Sequence, residues 1–283
     1  MVITIVGVGV IGGSYALSLE KFKDNIYGID INKKSLDIAK EFGIIKDGAL
    51  SSSKESIEII KNTDLLILCV YPNKIKDFIE EYKEYFKYTL IITDVVGIKE
   101  VYMDDIINLL PKGVDFVFAH PMAGREKKGL EYASKKIFKN ANFLITPTSV
   151  NKEENIQLIE NLANEMGFQN IKRISPKEHD LIISFTSQLP HAIAVALINS
   201  DNLNMDTGAF IGDSYRDLTR IANINEDLWS ELFLGNKENL IERIDNFKEH
   251  LDGIRECLIN EDDSNLKEIF RESSKRREEL ERA

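Results

Sequence analysis

The sequence has little of several residue types, and each shortage argues against a class of protein. Only two of the 283 residues are cysteines, Cys69 and Cys257, which have neither the spacing of a metal site nor the number for a disulfide framework. Basic residues are outnumbered, 36 against 47 acidic ones, and the net charge of −11 argues against nucleic acid or an anionic membrane as partner. We expect no signal peptide before the first strand and no apolar run of membrane-spanning length, and therefore a cytoplasmic protein.

The first thirty residues form the most informative stretch of the chain. A β-branched run at residues 2–6 is followed by the turn GVGVIGG at residues 7–13, by a helical stretch, and by a second apolar run that ends in Asp30. In dinucleotide-binding proteins the three glycines permit a tight turn, close approach of a pyrophosphate, and close packing of helix on strand. A terminal acid binds the ribose hydroxyls and repels a 2′-phosphate, so this order of features predicts NAD rather than NADP as cofactor.

Strands and helices alternate over the first 174 residues, which predicts a Rossmann-like, doubly wound and mostly parallel sheet. No convincing strand follows Pro176, and the stretch from Leu181 to Ile198 is apolar nearly all round, as expected of a helix buried in a core or between subunits. We therefore expect an α/β protein with a dinucleotide-binding domain at residues 1–174 and an all-helical domain at residues 175–283.

Ligands of such sheets bind beyond the carboxyl ends of the strands. The expected cofactor contacts are Gly7, Val8, Gly9, Val10, Ile11, Gly12, Asp30, Val70, Tyr71, Pro72 and Asp94. His120 follows the strand predicted at 114–119, where a histidine could accept the proton of an alcohol as hydride leaves the same carbon. A histidine held by backbone groups at the start of a loop is an equally good interpretation.

Three side chains of the helical domain are candidates for substrate contacts. His191 lies at the start of the most apolar helix, either as a ligand contact or as a capped core histidine. Arg216 and Arg220 are four residues apart and share a face if helical, and they could bind a carboxylate or pair with neighbouring acids. His179 and His250 are interpreted as solvated or structural, and no metal site is evident.

Several motifs together resemble the prephenate and arogenate dehydrogenase family of tyrosine biosynthesis. They are the opening GVGVIGGS, DVVGIK (94–99), HPMAGRE (120–126), SPKEHD (175–180), SQLPH (187–191), YRDLTRIA (215–222) and LWSELFLGNKENL (228–240). The resemblance implies oxidative decarboxylation of prephenate with NAD, with arogenate, or both substrates, as the alternative. It also implies a homodimer formed through the helical domain.

The resemblance also implies roles for individual residues. His120 would stabilise loss of the hydroxyl proton, and Arg220 would grip a substrate carboxylate. His191 and Arg216 would contact the polar ends of the substrate, and Glu126 and Asp180 would orient or gate the arginine.

Two positions depart from the pattern of the family. Gly97 stands where many members have a serine that hydrogen-bonds the substrate hydroxyl, so that contact is in doubt. Asp213 stands in a turn that is often glycine-rich, where it could pair with the amine of arogenate or simply cap the following helix.

Two other functions have less support in the sequence than this family. A β-hydroxy-acid dehydrogenase would need a catalytic lysine in the helical domain, and the sequence has no lysine between Lys177 and Lys237. A nucleotide sensor without catalytic activity is supported by Gly97 alone.

Overall fold

The computed structural model describes residues 1–124, 127–203 and 205–282, which form two compact units, residues 1–236 and 237–283. The first unit contains an eight-stranded sheet. Its strands are β1 (Ile3–Val6), β2 (Ile26–Asp30), β3 (Asp47–Leu50), β4 (Leu65–Leu68), β5 (Ile91–Asp94), β6 (Asp115–Met122), β7 (Asn142–Thr146) and β8 (Asn170–Arg173).

The strand order is β3-β2-β1-β4-β5-β6-β7-β8, and all neighbours run parallel except β6 and β7. The chain leaves β1 in one direction towards β2 and β3 and returns to its other side at β4. Ligands of doubly wound sheets bind where the strand order reverses in this way. The predicted mostly parallel, doubly wound sheet is thus confirmed.

Six helices cover the two faces of the sheet. They are α1 (Val10–Ser18), α2 (Lys33–Glu41), α3 (Lys54–Asn62), α4 (Pro72–Tyr82), α5 (Glu100–Leu109) and α6 (Glu153–Met166). One buried apolar cluster includes side chains of α1, α2 and α6, and a second includes side chains of α3, α4 and α5. The central strands β1 and β4 are buried along their whole length, as expected of a sheet covered by helices on both sides.

Strand β6 is longer than the sequence pattern indicates. It pairs in parallel with β5 only over residues 115–117, and then continues in antiparallel pairing with β7 up to Met122. His120 therefore lies within the strand, opposite Leu144, and not in a loop after it. Because β5 has already ended, His120 still lies at the carboxyl edge of the parallel strands.

The helices after the sheet begin with a long helical run. They are α7 (Pro176–Ile183), a π-helical turn (Ser184–Gln188), α8 (Leu189–Asn199), α9 (Asp213–Thr219) and α10 (Glu226–Leu234). Ser175 starts the run with a capping box, in which its hydroxyl accepts from the N–H of Glu178 and the Glu178 carboxylate accepts from the N–H of Ser175.

The run Pro176–Asn199 has 24 residues and a mean hydropathy of 1.7 over its most apolar window, so by length and composition it could cross a membrane. The expectation that no apolar run reaches that length is wrong. A single helix of this kind is weak evidence for a membrane protein. Here its buried polar side chains hydrogen-bond other elements of the same unit, for example His179 with His120 and Gln188 with the carbonyl of Leu232.

The second unit consists of α11 (Lys237–Ile259) and α12 (Asp263–Arg282), which pack against each other. The amphipathic stretch at residues 226–258 is divided between two helices, since α10 ends at Leu234 and α11 begins at Lys237. The domain boundary expected near residue 175 stays a prediction.

Candidate active site

A cavity of about 860 Å³ lies within the first unit, at the carboxyl edge of the sheet. Its volume is in the usual range for ligand sites. One side is formed by the glycine turn and the ends of β4, β5 and β6. The other side, called the helical wall below, consists of residues in the segments 183–191 and 223–232.

The glycine turn has the shape that a pyrophosphate needs. Gly7 has a φ of +88°, and a Cβ there would lie 2.3 Å from the carbonyl oxygen of Cys69. A Cβ on Gly12 would lie 2.0 Å from the carbonyl oxygen of Gly7, whereas one on Gly9 would meet nothing within 4 Å. Gly9 caps α1 without a side chain, so the first-turn N–H groups face the open space that a phosphate would fill. These residues fit a dinucleotide.

Asp30 ends β2 beside this turn. One carboxylate oxygen accepts the N–H of Val8 at 2.6 Å, and the other accepts the N–H of Asn32 at 2.8 Å. A carboxylate has about four acceptor sites, so both oxygens can also accept from ribose hydroxyls. The two N–H groups fix the carboxylate at the strand end, where such hydroxyls are expected.

Most of the predicted cofactor residues line the cavity. Those that do are Gly7, Gly9, Val10, Ile11, Gly12, Val70, Tyr71 and Pro72. The side chain of Val8 is instead buried in the core, and this residue reaches the site only through its N–H bond to Asp30.

Asp94, which was predicted as a cofactor contact, does not line the cavity. Its side chain is fully buried, and its oxygens accept from the N–H groups of Ala119 and Val96, from the ammonium of Lys99 at 2.9 Å, and from the hydroxyl of Tyr102 at 2.6 Å. Burial lowers the pKa of Lys99 and raises that of Tyr102. Asp94 thus organises the loop after β5 and holds the backbone next to His120.

His120 lines the cavity from β6. A Cβ on Gly97 would lie 3.4 Å from its Nε2, so this nitrogen faces Gly97, which also lines the cavity. Burial lowers the pKa of His120 well below its ordinary value, and the neighbouring His179 and Lys99 lower it further. His120 is therefore a neutral base at physiological pH.

His179 is the residue that the sequence interpretation most underrated. It is fully buried, and its Nε2 lies 3.0 Å from Nδ1 of His120, while its own Nδ1 lies 2.7 Å from the Asp180 carboxylate. Burial, followed by the charge of Lys99, lowers the pKa of His179 to about 2. Of the two interpretations of this histidine, solvated or structural, the solvated one is therefore wrong.

Asp180 also departs from its predicted role of orienting an arginine. Its two oxygens accept the N–H groups of Lys99 and Glu100, both at 2.8 Å, in addition to the bond with His179. These N–H groups are unpaired donors at the start of α5, which a carboxylate satisfies well. Burial raises the pKa of Asp180, and the bonds to these N–H groups oppose that shift.

The helical wall carries His191 and Trp229. Their rings are 3.7 Å apart between centroids and inclined by 30°. Nδ1 of His191 lies 2.9 Å from the carbonyl oxygen of Ser187, so Nδ1 must be the donor. Both residues line the cavity, which places one polar and one aromatic surface opposite the strand ends.

Hydrogen bonds join the helical wall to the nucleotide side of the cavity. The amide of Asn225 donates to the hydroxyl of Tyr71, and the carboxylate of Glu231 accepts the N–H of Asn73 at 3.1 Å. These bonds set the distance between the two walls.

The remaining predicted substrate residues are not brought to His120. Arg216, Arg220 and Asp213 are exposed and are not among the residues that line the cavity. Arg216 donates to the carbonyl of Ile211 at 3.3 Å, and Asp213 follows the N-cap residue Gly212, so it does not cap α9 itself. Glu126 lies outside the described residues.

Sequence reasoning missed His179 and Trp229 as residues of the site. The capping box at Ser175 was a usable signal, because it places His179 in the first turns of a helix. No local pattern could place it beside His120, which is 59 residues away in the chain. Among the described residues, no group of three or more His, Cys, Asp or Glu side chains could hold a metal ion.

Two family models match the chain. "Prephenate dehydrogenase, nucleotide-binding domain" matches residues 14–172, and "Prephenate dehydrogenase, dimerization domain" matches residues 175–272.

Full-length relatives agree with these models. The prephenate dehydrogenase of Bacillus subtilis is 31% identical over 98% of this chain and 76% of its own length. The cyclohexadienyl dehydrogenase of Zymomonas mobilis is 26% identical over 97% of this chain and 94% of its own. A crystal structure of prephenate dehydrogenase from A. aeolicus, in complex with hydroxyphenyl propionate and NAD+, is 31% identical, with a TM-score of 0.88 over 99% of this chain and 98% of that one.

Proposed function

The chain belongs to the prephenate dehydrogenase family of NAD-dependent enzymes, and we propose that it converts prephenate to 4-hydroxyphenylpyruvate and CO2. The observation that carries this proposal is one cavity that is lined both by a dinucleotide turn and by His120, a half-buried neutral base. When bound, NAD accepts the hydride from the ring carbon that bears the hydroxyl. The chain's own residues have to hold both molecules and remove one proton.

On the nucleotide side, the first-turn N–H groups of α1 bind the pyrophosphate and the Asp30 carboxylate binds the ribose hydroxyls. The side chains of Tyr71 and Pro72 lie at the same end of the sheet and limit where the dinucleotide can extend. This arrangement orients the cofactor before any substrate contact is made.

His120 accepts the hydroxyl proton through Nε2 as the hydride leaves. The electron pair of the O–H bond then forms the ring ketone, which is conjugated with the carbon that carries the ring carboxylate. Loss of CO2 returns an electron pair to the ring and gives an aromatic phenolate. This oxygen takes the proton back from His120, which leaves the phenol and the neutral histidine. Aromatisation drives the loss of CO2, so the protein contributes mainly positioning and charge stabilisation at the hydride step.

We assign the polar ends of the substrate to the helical side. His191 and the ring of Trp229 line the cavity opposite His120 and can contact the substrate. Arg220 is kept as the carboxylate-binding residue because the segment that begins three residues later, at Asn223, lines the cavity. Arg216 and Glu126 are proposed to support the interaction between Arg220 and the substrate carboxylate.

Arogenate is the second candidate substrate. A cyclohexadienyl dehydrogenase is among the relatives, and Asp213 is exposed and is not the N-cap of α9. Its carboxylate could pair with the amine that arogenate carries in place of the keto group of prephenate.

We further propose that the enzyme is a cytoplasmic homodimer. The family model for residues 175–272 is described as a dimerization domain. In support, the run Pro176–Asn199 exposes four large apolar side chains, Leu181, Ile182, Phe185 and Ile198, to between 41 and 58%. Neighbouring exposed apolar side chains of this kind mark interaction surfaces.

Purified protein mixed with NAD and either prephenate or arogenate tests the proposed reaction. We expect NADH absorbance to rise with prephenate and 4-hydroxyphenylpyruvate to be detected by chromatography. Faster turnover of arogenate would select the second candidate, and no NADH with either substrate would contradict both. Trp229 is the single tryptophan, so quenching of its fluorescence reports substrate binding independently of turnover.

A further inference from the structure

Three side chains form a hydrogen-bonded chain that leads from the cavity into the protein. His120 contacts His179 at 3.0 Å, and His179 contacts Asp180 at 2.7 Å. We propose that His179, held by Asp180, is a positioning residue that fixes the tautomer of His120 with its proton on Nδ1 and its lone pair on Nε2. This inference rests on the proposed function, in which Nε2 of His120 accepts the substrate proton.

Asp180, at the buried end of this series, sets the direction of its hydrogen bonds. The Asp180 oxygens accept from two backbone N–H groups, those of Lys99 and Glu100, and these groups can only donate. They are the N–H groups of the N-cap residue and of the first residue of α5, whose dipole favours a negative charge. Oδ1 of Asp180, which already accepts from Lys99, therefore also acts as an acceptor towards His179, and Nδ1 of His179 must carry a proton.

The same reasoning applies to the hydrogen bond between His179 and His120. His179 is fully buried and neutral, so it carries a single ring proton, and that proton is on Nδ1. Its Nε2 is therefore an acceptor, and among the residues that the structure describes, Nδ1 of His120 is the only group in hydrogen-bond contact with it. Nδ1 of His120 must donate. Because His120 is neutral as well, its Nε2 is unprotonated.

As a result, the unprotonated Nε2 of His120 faces the cavity. A Cβ on Gly97 would lie 3.4 Å from Nε2 of His120, on the cavity side. A neutral imidazole without a fixed partner can carry its proton on either nitrogen, and the tautomer with the proton on Nε2 cannot accept one there. His179 removes that inactive tautomer, much as a buried acid orients a catalytic histidine in other enzymes.

Nitrogen-15 NMR of histidine-labelled protein tests this assignment directly, because the chain has only four histidines. We expect the His120 signals to show a protonated Nδ1 and an unprotonated Nε2, with His120→Asn identifying the signals by their loss. In His179→Leu the acceptor is gone, and Nε2 of His120 should become partly protonated. In His179→Gln the side-chain oxygen can still accept from His120, and the wild-type tautomer should persist.

Kinetics should follow the tautomer. His179→Leu should lower kcat roughly 10- to 100-fold, with little change in KM for NAD, since part of the acid–base contribution is lost. His179→Gln should recover most of that loss. His250→Leu, the same change at an exposed histidine of the second unit, should leave both kcat and the NMR signals of His120 unchanged.

Two results would overturn the inference. One is the finding that His120 of the wild-type protein carries its proton on Nε2. This measurement does not depend on whether any variant folds. The other is an unchanged His120 tautomer in a folded His179→Leu protein, or a His179→Gln protein as slow as His179→Leu. NADH binding and the NMR signals do not depend on prephenate turnover, so they would test the inference even if the proposed reaction failed.

Discussion

The two sides of the cavity recognise their ligands by different means. The nucleotide side is made of backbone, from the contiguous residues 7–12 with the carboxylate of Asp30 beside them. The substrate side comprises His120, at the strand ends, together with the helical wall. It is made of side chains that come from β6, α7, α8 and α10, and its central hydrogen bond joins residues 59 positions apart. Backbone recognition can be read from a local motif, whereas side-chain recognition depends on how distant elements pack.

The difference also concerns burial and charge. The glycine turn carries no ionisable side chain, whereas the substrate side contains two neutral histidines, the half-buried His120 and the buried His179, next to the buried Asp94–Lys99 pair. Changes on the two sides should therefore have separable effects, on cofactor affinity in one case and on the chemical step in the other.

The largest effect is expected on the substrate side. His120→Asn should lower kcat by roughly 10²- to 10⁴-fold, because the base that accepts the hydroxyl proton is lost. NADH affinity, measured by fluorescence titration, should change little. An unaltered kcat would show that the proton goes elsewhere.

The corresponding change on the nucleotide side is Gly12→Ala. Its Cβ would lie 2.0 Å from a backbone oxygen, so the turn must open, and overpacking of this kind costs about 1–3 kcal/mol. We expect NADH to bind about 10- to 100-fold more weakly. Gly253→Ala in α11 is the matched control, because a Cβ there meets nothing within 4 Å. Equal NADH affinity in Gly12→Ala and wild type would contradict the turn's role.

Low pH should destabilise the protein because of the two histidines of the substrate side, His120 and His179. The pKa values of His120 and His179 are lowered in the folded state, so below the ordinary histidine value of 6.5 the unfolded chain binds more protons. Stability should then fall as the pH falls, with a slope approaching about 1.4 kcal/mol per pH unit for each histidine.

Urea unfolding between pH 5 and 7, in roughly half-unit steps, measures this slope. His179→Leu should reduce it, because one of the two groups is removed, while the charged neighbours Asp94, Lys99 and Asp180 stay in place. A slope that is identical in wild type and His179→Leu would mean that His179 is not buried in its neutral form.

Asp30→Ala should have a smaller effect, confined to the cofactor. Loss of the hydrogen bonds between its carboxylate and the ribose should weaken NADH binding about 10-fold. Rejection of NADP should relax, because the charge that repels a 2′-phosphate is gone. Asp37→Ala, at an exposed acid paired with Lys33, serves as the control. If the preference for NAD is unchanged, another element sets it.

The smallest effect is expected from Gly97→Ser. The new Cβ would lie 3.4 Å from Nε2 of His120, and the hydroxyl could donate a second hydrogen bond to the substrate oxygen. One such bond contributes about 0.5–1.5 kcal/mol, so kcat should rise by about 2- to 10-fold. Gly97→Ala adds the carbon without the hydroxyl and should give no gain. A fall in kcat with Gly97→Ser would mean that this chain uses the space differently.

Much of the architecture could be predicted because parallel strands buried on both faces are continuous apolar runs. Strand β3 was missed, since Asp47–Leu50 lies at the sheet edge and only Ala49 is buried. The end of β6 was also misjudged, because the extension through His120 comes from pairing with β7 and not from local sequence. Asp94 was read as a ligand contact for the same reason, since its partners Lys99, Tyr102 and Ala119 meet it only in the folded protein.

The sequence alone determined the cofactor turn, the family and the identity of His120 as the candidate base. A glycine turn works through its own backbone, so its neighbours in the chain are sufficient to define it. Only the tertiary structure decided that His120 is half-buried and neutral, with His179 and Asp180 behind it. Burial and the direction of a hydrogen bond depend on which distant groups meet, and those contacts exist only once β6, α5 and α7 have packed together.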